Sequence, residues 1–207
     1  MKLDNGILCL ELTNEGGEMS SLTYKGYDIL YKGDGEYWKG KNPTLFPMIS
    51  SPASKQYTYK GITYPCRNHG LIRYLNLQTT VEKDKEITMT LCSNEDTLKE
   101  YPFDFEYNIT YKLADNRVLI DYDITNKSSE IMPFTFGLHP GFIVRDFDKI
   151  KLVFPDDQKG ALFNQYQQTS KMVDINPYTN FVDDVKELET VIFKDLKSKY
   201  VRLVQPE

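Results

Sequence analysis

Apolar and polar residues alternate with a period of two through most of the chain, not with the 3.6-residue period of a helix. The stretch FDFEYNITY places Phe103, Phe105, Tyr107, Ile109 and Tyr111 on one face and Asp104, Glu106, Asn108 and Thr110 on the other. RVLIDYDIT repeats the pattern with Val118, Ile120, Tyr122 and Ile124, and EITMTLC with Ile87, Met89 and Leu91. Further strands are predicted in ILCLEL and MSSLTY on either side of Gly16–Gly17, in YDILY before the turn KGDG, and in TVIFK and KYVRLV. YTYKGITY reads as a hairpin turning at Lys60–Gly61, and LADNR joins the two longest strands through Asp115–Asn116. The best amphipathic helix candidate is DDVKELETV at 183–191, and it is weak. The polar stretch 156–184 reads as a long irregular loop. Many short antiparallel strands joined by turns predict an all-β sandwich or barrel, with residues 1–207 as one domain.

Composition narrows the partners. The 207 residues are 40% hydrophobic, 13% aromatic and 27% charged, as in an ordinary globular protein. Fifteen Tyr and eleven Phe stand against a single Trp. Tyrosine suits half-buried strand faces and grooves, because the ring packs while the hydroxyl stays hydrogen-bonded. A net charge of −5 without a basic stripe argues against nucleic acid or an anionic membrane as partner. No apolar run approaches the ~20 residues of a membrane helix. MKLDNGILCLEL lacks the apolar core of a signal peptide. Cys9, Cys66 and Cys92 are odd in number and widely spaced, which fits free thiols in a reducing compartment, so a cytoplasmic location is expected.

Few residues are left to carry chemistry. Cys66 and His69 have a Cys-x-x-His spacing, but a tetrahedral metal site needs four ligands and no second pair follows. No Gly-x-Ser-x-Gly is present, and the GDGE turn at 33–36 is followed by no helix that would cradle phosphate. The chain's two histidines remain: His69 in CRNHGLIR and His139 in MPFTFGLHPGF. Both sit where strand-like sequence gives way to a Gly- or Pro-stiffened turn, with Arg67, Asn68 and Arg73 near one and Arg145 beyond the other. An imidazole with a pKa near ~6.5 shuttles protons at neutral pH. The residues themselves thus predict a β-sandwich with a two-histidine acid/base site, and leave a purely structural role for both as the alternative.

Three blocks in order resemble the aldose 1-epimerase (galactose mutarotase) family, in its branch of shorter bacterial homologues. GGEMSSLTYKGYDILYKGDGEYWKGKNPTLFPMIS carries the family's Gly-x-x-x-Ser strand, a Trp and Pro-x-Leu-Phe-Pro. YTYKGITYPCRNHGLIRYLNL is similar to its strand, turn and His-Gly-Phe-Ala-Arg element. EDTLKEYPFDFEYNITYKL, running on to NKSSEIMPFTFGLHPGF, is similar to its Tyr-Pro-Phe strand and Gly-x-His-Pro-x-Phe element.

The resemblance implies a large antiparallel β-sandwich that holds a free hexose in an open groove and interconverts its α and β anomers, with no cofactor. It assigns His139 as the acid that protonates the ring oxygen, His69 as the second histidine that hydrogen-bonds and orients the sugar, and Arg73 as support for the groove. Two departures stand out. Where family members often continue Leu-Phe-Pro with Gly-Arg, this chain has Ser50–Ser51–Pro52. The family's base is a Glu in its last third, and no residue here matches it, Glu207 following its Pro instead of preceding one. The chain is therefore expected to be C-terminally incomplete relative to the family. A non-catalytic sugar-binding protein of the same fold is the alternative. The sequence names neither the sugar nor the oligomeric state.

Overall fold

In the computed structural model of the protein, all residues are described except 34, 36–37, 147–148, 165–166, 176–189 and 206–207. The chain divides into two compact units, Met1–Ile143 and Val144–Glu207.

The first unit opens with an antiparallel sheet of β1 (Lys2–Asp4), β2 (Leu8–Leu12), β3 (Met19–Tyr24) and β4 (Tyr27–Asp28), in that order. A long connecting segment follows. It contains the short strand β5 (Thr44–Leu45), the hairpin β6 (Gln56–Tyr59) and β7 (Ile62–Pro65), and a 3-10 turn at Ile72–Tyr74. A second sheet has the order β11-β10-β9-β8, from β8 (Gln78–Lys83), β9 (Glu86–Cys92), β10 (Phe105–Ala114) and β11 (Arg117–Asn126). The helical turn α1 (Glu95–Leu98) joins β9 to β10, capped by Asn94, whose side chain accepts from the N–H groups of Asp96 and Thr97. The two-residue β12 (Gly137–Leu138) then returns to pair with β5.

The predicted alternation is what builds this unit. Along β10, Phe105, Tyr107, Ile109, Tyr111 and Leu113 are buried while the residues between them are more exposed. From β9, Ile87, Met89 and Leu91 join the same face, and Leu3, Leu8, Leu10, Leu12 and Met19 of the first sheet meet them in one buried cluster. Two antiparallel sheets with one shared apolar layer make a sandwich, as expected. Each Leu, Ile or Phe so buried contributes roughly 1.5–3 kcal/mol over its exposed state. Phe46, from the connecting segment, is also fully buried, with Phe105 at 5.4 Å, Phe134 at 5.4 Å, Tyr107 at 5.8 Å and Tyr101 at 6.0 Å between ring centroids.

The second unit pairs β13 (Lys151–Val153) with β17 (Arg202–Val204), and β14 (Gln158–Asn164) with both β15 (Gln167–Ile175) and β16 (Thr190–Ile192). The irregular loop expected over 156–184 is corrected here, because β14 and β15 form an antiparallel pair within it. A ladder needs only backbone groups, and a strand rich in Gln, Thr, Ser and Lys carries too few apolar positions to announce itself by period. The helix candidate at 183–191 lies outside the described residues except for Thr190 and Val191, which are strand. Among the described residues no helix is long and apolar enough to cross a membrane.

Two tyrosines on the inward face of β10 make a matched test. The Tyr111 hydroxyl donates to the Gly17 carbonyl at 2.8 Å in a buried bond. Among the described residues the buried Tyr107 hydroxyl has no hydrogen-bond partner, although the Thr44 side chain lies close. Tyr111→Phe is expected to cost about 1–3 kcal/mol, because it strands a buried carbonyl, whereas Tyr107→Phe is expected to be neutral or stabilising. Urea unfolding of the two variants checks this; equal losses would contradict the assignment of their hydroxyls.

Candidate functional site

His69 and His139 are 70 positions apart in sequence, yet their ring centroids lie 6.1 Å from each other. The segment 41–50 brings them together by bonding to both loops. On one side, the backbone N–H of His139 donates to the Pro43 carbonyl at 3.1 Å and that of Gly141 to the Lys41 carbonyl at 2.9 Å, continuing the β5–β12 pairing. Farther along, Thr135 N–H donates to the Pro47 carbonyl, and Ile49 N–H to the Thr135 hydroxyl at 2.8 Å. On the other side, the Phe46 carbonyl accepts from the N–H of Leu71 at 2.7 Å and of Ile72 at 3.2 Å.

Gly70 explains why a glycine must follow His69. Its φ is +77°, and a Cβ there would stand 2.3 Å from the Phe46 carbonyl oxygen. His69 itself is left-handed, with φ +66°, a conformation that costs a non-Gly residue roughly 1–3 kcal/mol. Two bonds to Ser50 hold it there: His69 N–H donates to the Ser50 carbonyl, and Ser50 N–H donates to the imidazole Nδ1, both at 2.9 Å. Because Nδ1 accepts, the neutral ring carries its proton on Nε2. His69 is therefore presented as an N–H donor. Its pKa lies below the usual histidine value, because burial disfavours the cation first and the charges of Arg73 and His139 add to this.

His139 is exposed, and the Trp38 ring lies 4.8 Å away, tilted by 46°. Arg73 sits on the 3-10 turn, half-buried beside the Tyr74 ring, which is 5.1 Å from its guanidinium carbon. Of the residues predicted from sequence, His69, His139 and Arg73 thus share one region. Arg67 is turned to another task, gripping the Glu100 carboxylate with two guanidinium nitrogens. Arg145 belongs to the second unit. Sequence reasoning met Ser50 only as a departure from the family and Trp38 only as part of a motif, and it did not single out Glu18. Glu18 is a half-buried carboxylate whose surroundings include Arg73, Lys41 and the Asn42 N–H. Cys66 is buried, with its thiol 3.2 Å from the Met48 sulfur. Among the described residues no three His, Cys, Asp or Glu side chains gather in a metal-holding group.

The model of the aldose 1-epimerase family matches residues 1–202. The chain belongs to that family. Among solved structures, this aldose 1-epimerase family member is similar to a galactose mutarotase related enzyme from Lactobacillus acidophilus, with a TM-score of 0.79 and 25% identity, covering 89% of this chain and 66% of that one. A galactose mutarotase-like protein from Lactobacillus casei gives a TM-score of 0.74 and 28% identity over 84% and 63% of the two chains. The plasmid-encoded protein LacX of Lactococcus lactis is 25% identical over 201 residues, 91% of this chain and 67% of LacX. The chain thus spans about two thirds of the length of these relatives.

Two expectations follow from the geometry. Gly70→Ala forces backbone against backbone at Phe46 and is expected to destabilise the protein by about 3 kcal/mol or more, seen as a lower urea midpoint. The His69 shift also has a defined sign. The unfolded imidazole binds a proton more readily than the folded one, so this contribution to stability is complete above pH ~6.5 and is lost as the pH falls below that toward the folded value. The fall in urea midpoint across this window should be smaller in His69→Asn than in the wild type.

Proposed function

We propose that the two-histidine region acts on the anomeric centre of a free hexose, as an aldose 1-epimerase. The observation that carries this reading is the approach of the two imidazoles to 6.1 Å, with His69 locked through Nδ1 to the Ser50 N–H. In this reading His139, exposed and able to carry a proton, protonates the ring oxygen as the bond to C1 breaks. His69 donates its Nε2 proton as a hydrogen bond to a sugar oxygen and orients the ring. Arg73 supplies positive charge beside His69. The neighbouring Trp38 ring offers an apolar face to the C–H groups of a sugar. Opening to the aldehyde also needs a base at the anomeric hydroxyl, which family resemblance assigns to a Glu in the family's last third. No step requires a cofactor, because ring opening and closure move only protons.

A second reading, binding of the sugar without turnover, is favoured by one specific feature. Ser50 and Ser51 stand where many family members have Gly-Arg, so Ser51 offers a hydroxyl where they carry a guanidinium. The three free cysteines fit a reducing compartment for either protein.

Anomer exchange of galactose and glucose, followed by magnetisation-transfer NMR, tests the proposal. The protein is expected to raise the exchange rate above that in water, and His139→Asn to lower the increment by about two to four powers of ten. An increment that His139→Asn leaves intact would sink the assignment. Sugar-induced shifts of the imidazole signals without faster exchange would select the binding reading.

A further inference from the structure

The two histidines are held in different ways. His69 is fixed through its ring, by the bond from the Ser50 N–H to Nδ1. His139 is fixed through its backbone. Its N–H donates to the Pro43 carbonyl, and Pro140 after it restricts the chain further. Among the described residues no hydrogen bond or ion pair reaches the His139 imidazole. Its ring neighbours there are Trp38, at 4.8 Å between centroids, and His69, at 6.1 Å.

Trp38 is the nearer of the two, and its place is built by glycine. A Cβ at Gly40 would stand 2.2 Å from the indole Cζ2, 2.5 Å from Cε2 and 2.8 Å from Cη2. A Cβ lies one bond from its Cα, so the indole folds back within van der Waals reach of the Gly40 backbone. Gly141 borders the same ring, its Cβ position being 3.4 Å from Cζ3. Backbone bonds fix this seat: Gly141 N–H donates to the Lys41 carbonyl and Tyr31 N–H to the Gly141 carbonyl, each at 2.9 Å. Gly40 is not among the glycines with a left-handed φ. Its missing side chain therefore serves the indole and not the backbone.

We propose that Trp38 is the positioning residue for His139: the indole, seated on Gly40, is the wall against which an imidazole without a hydrogen bond of its own is placed. The catalytic consequence rests on the reading of His139 as the proton donor to the ring oxygen. A donor must lie within hydrogen-bond reach of the atom it protonates, and a misplacement of ~1 Å can cost about a hundredfold. An imidazole turning freely about χ1 and χ2 holds that position only part of the time. The indole removes the rotamers that would pass through it. The 6.1 Å between the two imidazoles thus depends on two restraints, the Nδ1 bond for His69 and the Trp38 ring for His139.

Trp38 is the chain's single tryptophan, so its fluorescence reads the contact without sugar or turnover. A protonated imidazole touching an indole quenches its emission, and a neutral one does so much less. Lowering the pH through the range in which imidazoles titrate, about 8 to 5, is expected to dim the wild type. His139→Asn should abolish that change, and His69→Asn should leave most of it. Gly40→Ala displaces the indole while changing neither histidine. It is expected to weaken the pH-dependent quenching and to lower kcat for anomer exchange about ten- to a hundredfold, more than it raises KM. Trp38→Phe, which keeps a ring at the site, should retain more kcat than Trp38→Leu. A pH dependence of emission that survives His139→Asn overturns the contact. Quenching lost in Gly40→Ala with kcat intact, or a loss wholly in KM, overturns the positioning role. Should Gly40→Ala not fold, Trp38→Leu decides, and a wild-type kcat there overturns the proposal. The two readings fail separately. Quenching by His139 without anomer exchange rejects the enzymatic reading alone, and exchange without that quenching rejects the role of Trp38 alone.

Discussion

The candidate site depends on Phe46. Its ring is clamped among Phe105, Tyr107, Tyr101 and Phe134 in the sandwich core, so its backbone has little freedom. Its carbonyl then receives two N–H groups from the turn after His69, and only a glycine at 70 allows so close an approach. Hydrophobic packing, which has no direction, is converted at this residue into hydrogen bonds, which do. The segment around it also pairs with the loop carrying His139. The spacing of the two imidazoles is a consequence of one buried aromatic side chain and the short strand that bears it.

Electrostatics refines what packing places. A left-handed histidine whose Nδ1 accepts a backbone N–H has its tautomer decided before any ligand arrives. Arg73 beside it makes protonation costlier still. The arrangement gives two chemically identical side chains different surroundings. His69 is bonded through its ring and partly buried, suited to donating a fixed hydrogen bond. His139 is exposed beside Trp38. Under the proposed function, this asymmetry would serve anomer exchange, which needs both a proton donor and a held ring.

Much of the first unit was legible from alternation alone, because a sheet with one face in the core imposes period two on its side chains. Phe103 to Tyr111, Ile87 to Leu91 and Val118 to Ile124 could be assigned this way, and the turns at Lys60–Gly61 and Asp115–Asn116 form where expected, with positive φ at Lys60, Gly61 and Asp115. The β14–β15 pair was not legible, because its polar sequence carries little of that signal. Nor was the helical turn α1, which is one turn long and depends on a cap, not on a period.

The sequence by itself determined a β-sandwich, the identity of its inward face, and two histidines in stiffened turns that, with their neighbouring motifs, resemble one enzyme family. Those properties follow from local chemistry: side-chain polarity, turn-forming residues and the rarity of imidazole. Only the tertiary structure decided that the two turns meet, that Ser50 holds His69, and that Arg67 is diverted to Glu100. Each of these joins residues distant in the chain through a backbone amide or an ion pair. Backbone amides are the same at every position, so no pattern of side chains along the sequence reveals which of them will face one another.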